Sequence, residues 1–157
     1  MPDNIHVHTR YVERVFTCIV LAALGLITAG CASIKHPKGV QPRVLTLQTT
    51  AYCSCRKCCN WKRNWYFRPV VASGPNKGKP KDVGVTANGT DAHHGTIAAD
   101  DALFRFGTVM YIPGYGYGRV EDRGSAIRGY HIDLWFGNHD DALAWGARLQ
   151  KVKVWLR

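Results

Sequence analysis

Acidic charge is scarce in this chain. Its 157 residues set 11 aspartates and glutamates against 21 lysines and arginines, a formal net charge of +10 with a pI of about 9.6. Such a balance implies an anionic partner: nucleic acid, anionic lipid, or an acidic polymer such as a cell wall. The chain also has no internal repeat, which excludes a solenoid. Its one conspicuous apolar run, VFTCIVLAALGLITAG at residues 15–30, falls short of the about 20 residues that a bilayer-spanning helix needs. Large-scale disorder is excluded as well, because a hydrophobic content of 46% is ordinary for a globular core. The length leaves room for one domain.

The apolar run reads instead as the core of a signal peptide, preceded by Arg10 and Arg14. It ends in LITAGC, which resembles the lipobox of bacterial lipoproteins, with Cys31 as the residue that would carry the lipid. The expected organisation is a leader over residues 1–30, a tether rich in Pro and Gly over residues 31–42, and an exported domain over residues 43–157. Cys18 would leave with the leader. Export removes most of the case for nucleic acid, so the expected surroundings are peptidoglycan, anionic lipid and acidic polymers. The expected location is the cell envelope, lipid-anchored and periplasm-facing, at the outer membrane where there is one.

Strand patterning opens the domain at RVLTLQTTAYC, where β-branched residues and alternation dominate. A stretch rich in cysteine, cations and aromatics follows over residues 53–81. Short, glycine-punctuated segments then read as strands: VGVTANGT, GTIAAD, TVMYIPGYGYGRVEDRG and YHIDLWF. Their spacing suits a compact β fold, a small barrel more than an open sheet. One short helix is signalled near the C-terminus, capped by Asn138, with Asp140 and Asp141 at its positive end and an apolar series running from Ala142 to Leu149. KVKVWLR closes the chain as a strand.

EDRGSAIRGYHIDLW, at residues 121–135, holds the sharpest chemical signal. Alternation puts Ile132, Leu134 and Phe136 on one face and His131, Asp133 and Trp135 on the other. A carboxylate in so apolar a strand is costly to bury unless it is paired or its pKa rises, and a raised pKa is what a general acid needs. The alternative is structural, with Asp133 accepting backbone amides at a barrel mouth. Asp122 and Asp100 are the other two aspartates that stand out.

The order TTAY, VTANGT, GTIAADDALFRFGTVMYIPGYGYGRVEDRGSAIRGYHIDLWF and AWGARLQKVKVWL resembles the 3D domain, named for three aspartates, over residues 49–156. That domain occurs in the MltA type of lytic transglycosylase and in several envelope and spore proteins. The resemblance implies a six-stranded double-psi β-barrel. It also implies cleavage of the MurNAc–GlcNAc bond of peptidoglycan without water, leaving a 1,6-anhydro end. Asp133 matches the acid that does this, while Asp122 and Asp100 match its companions, which would orient it, tune it or stabilise developing charge. Thr86 matches a polar residue near the family cleft and could equally be a turn hydroxyl. Tyr115, Tyr117 and Trp135 offer rings for stacking on sugars, and Arg128 and His131 lie close to the acids; packing roles compete with each. Arg123 lies close to the acids too and could equally be a plain ion-pair partner that lowers an Asp pKa. The MltA type has a second, groove-forming domain, so grip is expected here from the barrel and residues 53–81. Wall binding without turnover is the alternative function.

Cys53, Cys55, Cys58 and Cys59 carry a separate expectation. In an oxidising envelope four cysteines favour two disulfides, with three possible connectivities. Structural zinc is the second possibility, although the spacing lacks two well-separated pairs, and free thiols are the third. No other cofactor is expected, and the protein is expected to be a monomer.

Overall fold

The structure is a computed structural model and describes residues 34–157; the expected leader and Cys31, the expected site of lipidation, lie outside the described residues. Eight strands and two short helices follow one another: β1 (Arg43–Tyr52), α1 (Arg56–Cys59), β2 (Trp61–Arg63), β3 (Pro69–Val71), β4 (Thr96–Ala99), β5 (Val109–Ile112), β6 (Gly116–Asp122), β7 (His131–Trp135), α2 (His139–Trp145) and β8 (Arg148–Trp155). Six strands close into the expected barrel in the order β1-β7-β4-β6-β5-β8. Two neighbour pairs, β1 with β7 and β4 with β6, run parallel; the other four are antiparallel.

Period-two patterning explains the closure. Leu47 of β1, Ile97 of β4, Met110 and Ile112 of β5, Val120 of β6, Ile132 and Leu134 of β7, and Val152 and Val154 of β8 all point inward and are buried. Closure also removes the unpaired edges that a short-stranded sheet would expose. Trp145 of α2 joins the same core.

The structure departs from the expected elements at three places. VGVTANGT forms a turn held by a single bridge between Val85 and Asp91, with Gly84 and Gly89 at φ near +85° and +87°. Its Thr86 hydroxyl bonds Asn88 and Thr90, a local alternative that displaces a sheet ladder. The capped helix begins where Asn138 Oδ1 accepts the Asp141 amide at 2.8 Å, but it stops at Trp145 because Gly146 turns to φ 65°. Leu149 therefore belongs to β8. The cysteine-rich stretch is more regular than its composition suggested, with α1 and a two-stranded β2–β3 sheet.

Tether residues from His36 onward lie against the barrel. His36 stacks on Trp155 at 4.8 Å, and Trp155 Nε1 donates to the Val40 carbonyl at 2.9 Å.

Candidate functional site

Register builds the site. Ala98 of β4 lies between two partners, Asp133 of β7 on one side and Asp122 of β6 on the other. Thr50 of β1 pairs with Asp133 from beyond. One row across four strands therefore reads Thr50, Asp133, Ala98, Asp122. With strands about 4.8 Å apart, the two aspartates stand two strand spacings apart with only a methyl group between them.

A bulge puts Asp122 in that row. Thr96 pairs with Arg119 and Ile97 with Val120, but Ala98 pairs with Asp122, so Glu121 is an extra residue on β6. Without it Asp122 would share the core-facing side of Val120. The extra residue re-aims the side chain, a common use of bulges beside active sites. Glu121 itself is buried and accepts the Thr96 hydroxyl at 2.9 Å, with Arg119 and His93 each 3.8 Å away.

Asp133 and Asp122 both line a cleft of about 700 Å³. Ala98, Tyr52, Lys81 and Arg123 line it too, together with the 124–127 turn and parts of the cysteine-rich stretch. Burial pushes the Asp133 carboxyl above its ordinary value, and the negative charge of Asp122 adds to the rise; a hydrogen bond from Thr50 and the nearby His131 oppose it. Thr50 Oγ1 donates to Asp133 Oδ1 at 2.7 Å and lies 2.8 Å from His131 Nε2. A hydroxyl has one proton, so the imidazole must donate its Nε2–H to Thr50. His131, Thr50 and Asp133 thus form a directed chain that leaves Asp133 Oδ2 outside it.

Asp122 accepts from Tyr52 Oη at 2.9 Å and from the amides of Ala87 and Arg123 at 3.0 and 2.9 Å. All three partners are donors, so Asp122 is fixed as an acceptor. Asp100 takes a positioning place rather than a cleft-lining one. Its Oδ2 accepts the Gly129 amide at 2.9 Å and its Oδ1 the Ala102 amide at 3.2 Å, while Arg128 stands 3.9 Å away. The Gly129 bond chiefly holds its carboxyl below the usual range. Asp100 thereby ties down the segment whose Gly124, Ser125 and Ile127 line the cleft.

The other expected contacts divide. Trp135 continues the Asp133 face and donates Nε1–H to Ser54 Oγ at 3.1 Å, bracing the cysteine-rich stretch. Tyr115 does not offer its ring to sugar. It is buried in the core, and its hydroxyl lies 2.9 Å from the Gly95 amide and donates to the Trp135 carbonyl at 2.8 Å. Tyr117 is exposed but lies with His36, Tyr111 and Trp155 in a separate hollow. Thr86 is buried in its turn. Arg128 is exposed, and Arg123 pairs with Asp101 at 3.1 Å.

Sequence reasoning missed Thr50 and Tyr52, although both sit in the TTAY stretch and alternate toward one face. The aromatics expected to lend grip within residues 53–81 gather at one exposed tip. Trp65, Tyr66 and Phe67 are exposed at 78%, 62% and 75% at the tip of the β2–β3 hairpin, beside Arg63 and Arg68. Asn64 Oδ1 accepts the amides of Tyr66 and Arg68, and Phe67 adopts φ 60°, which a bulky residue rarely does. The base of this hairpin, at Asn60 and Val71, lines the acid cleft.

The four cysteines are free thiols, so the structure does not contain the expected disulfides. Cys53, Cys55 and Cys58 converge instead with His139, at the start of α2. Cys59 turns away and donates to the Cys53 carbonyl at 3.2 Å.

Residues 95–156 match the family model of the 3D domain. YabE of Bacillus subtilis, named for cell wall shaping, is 30% identical over 71% of this chain and 23% of its own length. YocH of the same organism, named as a cell wall-binding protein, is 37% identical over 45% of this chain and 26% of its own. The chain thus spans about a quarter of the length of these curated relatives. A crystal structure of MltA from E. coli is similar at 19% identity over 50% of this chain and 30% of that one, with a TM-score of 0.38.

Proposed function

Because residues 95–156 of this chain are a 3D domain, we propose that the protein acts on the glycan strands of peptidoglycan, cleaving the MurNAc–GlcNAc bond without water. The observation that carries this reading is Asp133. It is a carboxyl held in a cleft by one oxygen, with a pKa raised by burial, on the strand where the family resemblance puts the acid. The names of the two relatives, one shaping and one binding cell wall, supply the substrate class.

The chemistry needs one acid. Protonated Asp133 gives its proton to the glycosidic oxygen as the C1–O bond breaks, and the GlcNAc leaves as an alcohol. The muramyl C6 hydroxyl then attacks C1 and gives its proton to the Asp133 carboxylate, which restores the acid and closes the 1,6-anhydro ring. No second carboxylate has to activate water, unlike in a hydrolase. Asp122, across Ala98, would stabilise the oxocarbenium-like charge. Lys81 and Arg123 on the cleft wall suit the carboxylates that muramyl groups and their peptides carry. The expected setting is a lipid-anchored protein facing the wall.

Digestion of purified sacculi tests the reading, with the protein and its Asp133→Asn variant compared by mass spectrometry of released muropeptides. Products one water lighter than hydrolysis products, absent with the variant, are expected. A second reading, binding without turnover, is favoured by the exposed Trp65, Tyr66 and Phe67 and by the wall-binding name of one relative. It replaces the first if folded protein sediments with sacculi and releases nothing.

A further inference from the structure

Residues 53–81 build a wall of the cleft with almost no core of their own. Only Cys53 and Val70 among them are buried, and α1 buries none of its side chains. A segment so poor in apolar burial needs a staple to hold one conformation. Four side chains from three places in the chain supply the parts. Cys53 directly follows β1, Cys55 caps α1, Cys58 lies within it, and His139 opens α2.

Their geometry is that of a metal site. Cys53 Sγ and Cys58 Sγ are 3.7 Å apart. His139 Nδ1 stands 3.8 Å from Cys53 Sγ, 3.6 Å from Cys55 Sγ and 3.5 Å from Cys58 Sγ. All four donor atoms lie within 4.8 Å of one another. A zinc ion with Zn–S near 2.3 Å and Zn–N near 2.05 Å, at tetrahedral angles, requires S–S edges of about 3.8 Å and S–N edges of about 3.6 Å. The Cys53–Cys58 edge and the three sulfur–nitrogen edges already lie close to those values. Hydrogen bonding among thiols does not require three sulfurs to converge on one imidazole nitrogen. Asn138, which caps α2, fixes the residue next to the imidazole.

We propose that Cys53, Cys55, Cys58 and His139 hold one zinc ion in a closed, structural site. The three thiols lose their protons as the ion binds, giving a Cys₃His centre. With four protein ligands no position is open for substrate or water, so the ion staples and does not catalyse. Cys59 is no ligand. The staple joins the cysteine-rich stretch to the α2 end of the barrel, and so orders the wall that Ser54, Cys58, Cys59 and Asn60 contribute to the acid cleft.

The test is elemental analysis of the full chain, purified in detergent under reducing conditions, loaded with a slight excess of zinc and then dialysed against metal-free buffer. One zinc per chain is expected. Cobalt(II) in its place should show thiolate charge transfer and the d–d bands of a tetrahedral site. His139→Ala and Cys55→Ser should each weaken zinc binding by more than roughly 100-fold, above the range for a change outside the ligand shell. Cys59→Ser should keep full occupancy, and His139→Cys, which restores four donors, should recover it. Far-ultraviolet circular dichroism on each variant separates ligand loss from a failure to fold. Substoichiometric zinc in the reduced wild-type chain overturns the proposal. So does a Cys59→Ser variant that loses zinc as fully as Cys55→Ser, or a His139→Ala variant that binds it undiminished.

Discussion

Thr50 donates its only hydroxyl proton to Asp133 Oδ1 across 2.7 Å, while Thr50 Oγ1 itself stands 2.8 Å from His131 Nε2. Parallel pairing of β1 with β7 sets this up by placing Thr50 opposite Asp133. The consequence is an acid held by one oxygen, with its pKa raised by burial and restrained by Thr50.

Replacing the hydroxyl separates these two effects. Thr50→Val keeps the side-chain shape but removes the bond that holds the Asp133 pKa down, so that pKa should rise further. Turnover by a general acid falls as pH climbs through its pKa, so the alkaline limb of the kcat/KM profile should move to higher pH. Loss of orientation should lower kcat at the optimum by about 10-fold, the worth of one charge-assisted bond. A limb that stays in place or moves to lower pH would sink this account of Thr50.

Asp133 should also cost stability at neutral pH. Its folded-state pKa is raised, so the folded chain holds this proton more tightly than the unfolded chain does. Stability is therefore lost as pH rises from the ordinary carboxylate value through the folded one, and the loss is complete above it. Asp133→Asn removes the titration while keeping an oxygen to accept from Thr50. The variant should melt higher than wild type at neutral pH. The gain should vanish below the usual carboxylate range, as calorimetry across pH would show.

The aromatic hairpin should bind wall independently of the acid. Phe67 sits at φ 60° without the freedom of glycine. Phe67→Gly relieves that strain while removing the ring, so stability should hold or rise. If the tip grips glycan, co-sedimentation with sacculi should weaken by about 10-fold, within the range for losing one stacked ring. Undiminished sedimentation of Phe67→Gly and of Trp65→Ala would remove the hairpin from the binding surface.

Much of the barrel was legible because its strands alternate cleanly. Ile132 and Leu134 are inward and Asp133 outward of them, as the period-two pattern requires. Asn138 marked the helix start, because its side chain has one local job to do. What stayed hidden depends on distant pairing. Nothing near Asp122 shows that Glu121 is an extra residue, since the bulge exists only relative to β4. His139 gave no sign of meeting three cysteines some eighty positions earlier. Tyr115 misled for a different reason. A tyrosine in a glycine-rich turn looks exposed, yet its ring reaches back into the core and its hydroxyl ends on backbone groups.

Ala98 offers the most direct test of the site as a geometric unit. It is almost fully buried, it lines the cleft, and it is the residue that both Asp133 and Asp122 flank. Its neighbour Ile97 packs in the core, so β4 is anchored by a residue that a change at 98 leaves alone. Ala98→Leu adds three carbons at a position with almost no free surface, so an overpacking cost of about 1–3 kcal/mol should lower Tm by several degrees, while Ile97 keeps β4 anchored and the barrel folded. A sugar ring that must reach Asp133 over that position should be shut out. Turnover on sacculi should then fall by at least about 100-fold, the cost of displacing reactive groups by an ångström or more. The Asp133 carboxyl should be desolvated further by the new side chain, moving its pKa up. Wall binding through the hairpin should persist. An Ala98→Leu protein that digests sacculi at the wild-type rate would mean that catalysis lies elsewhere than between these two aspartates.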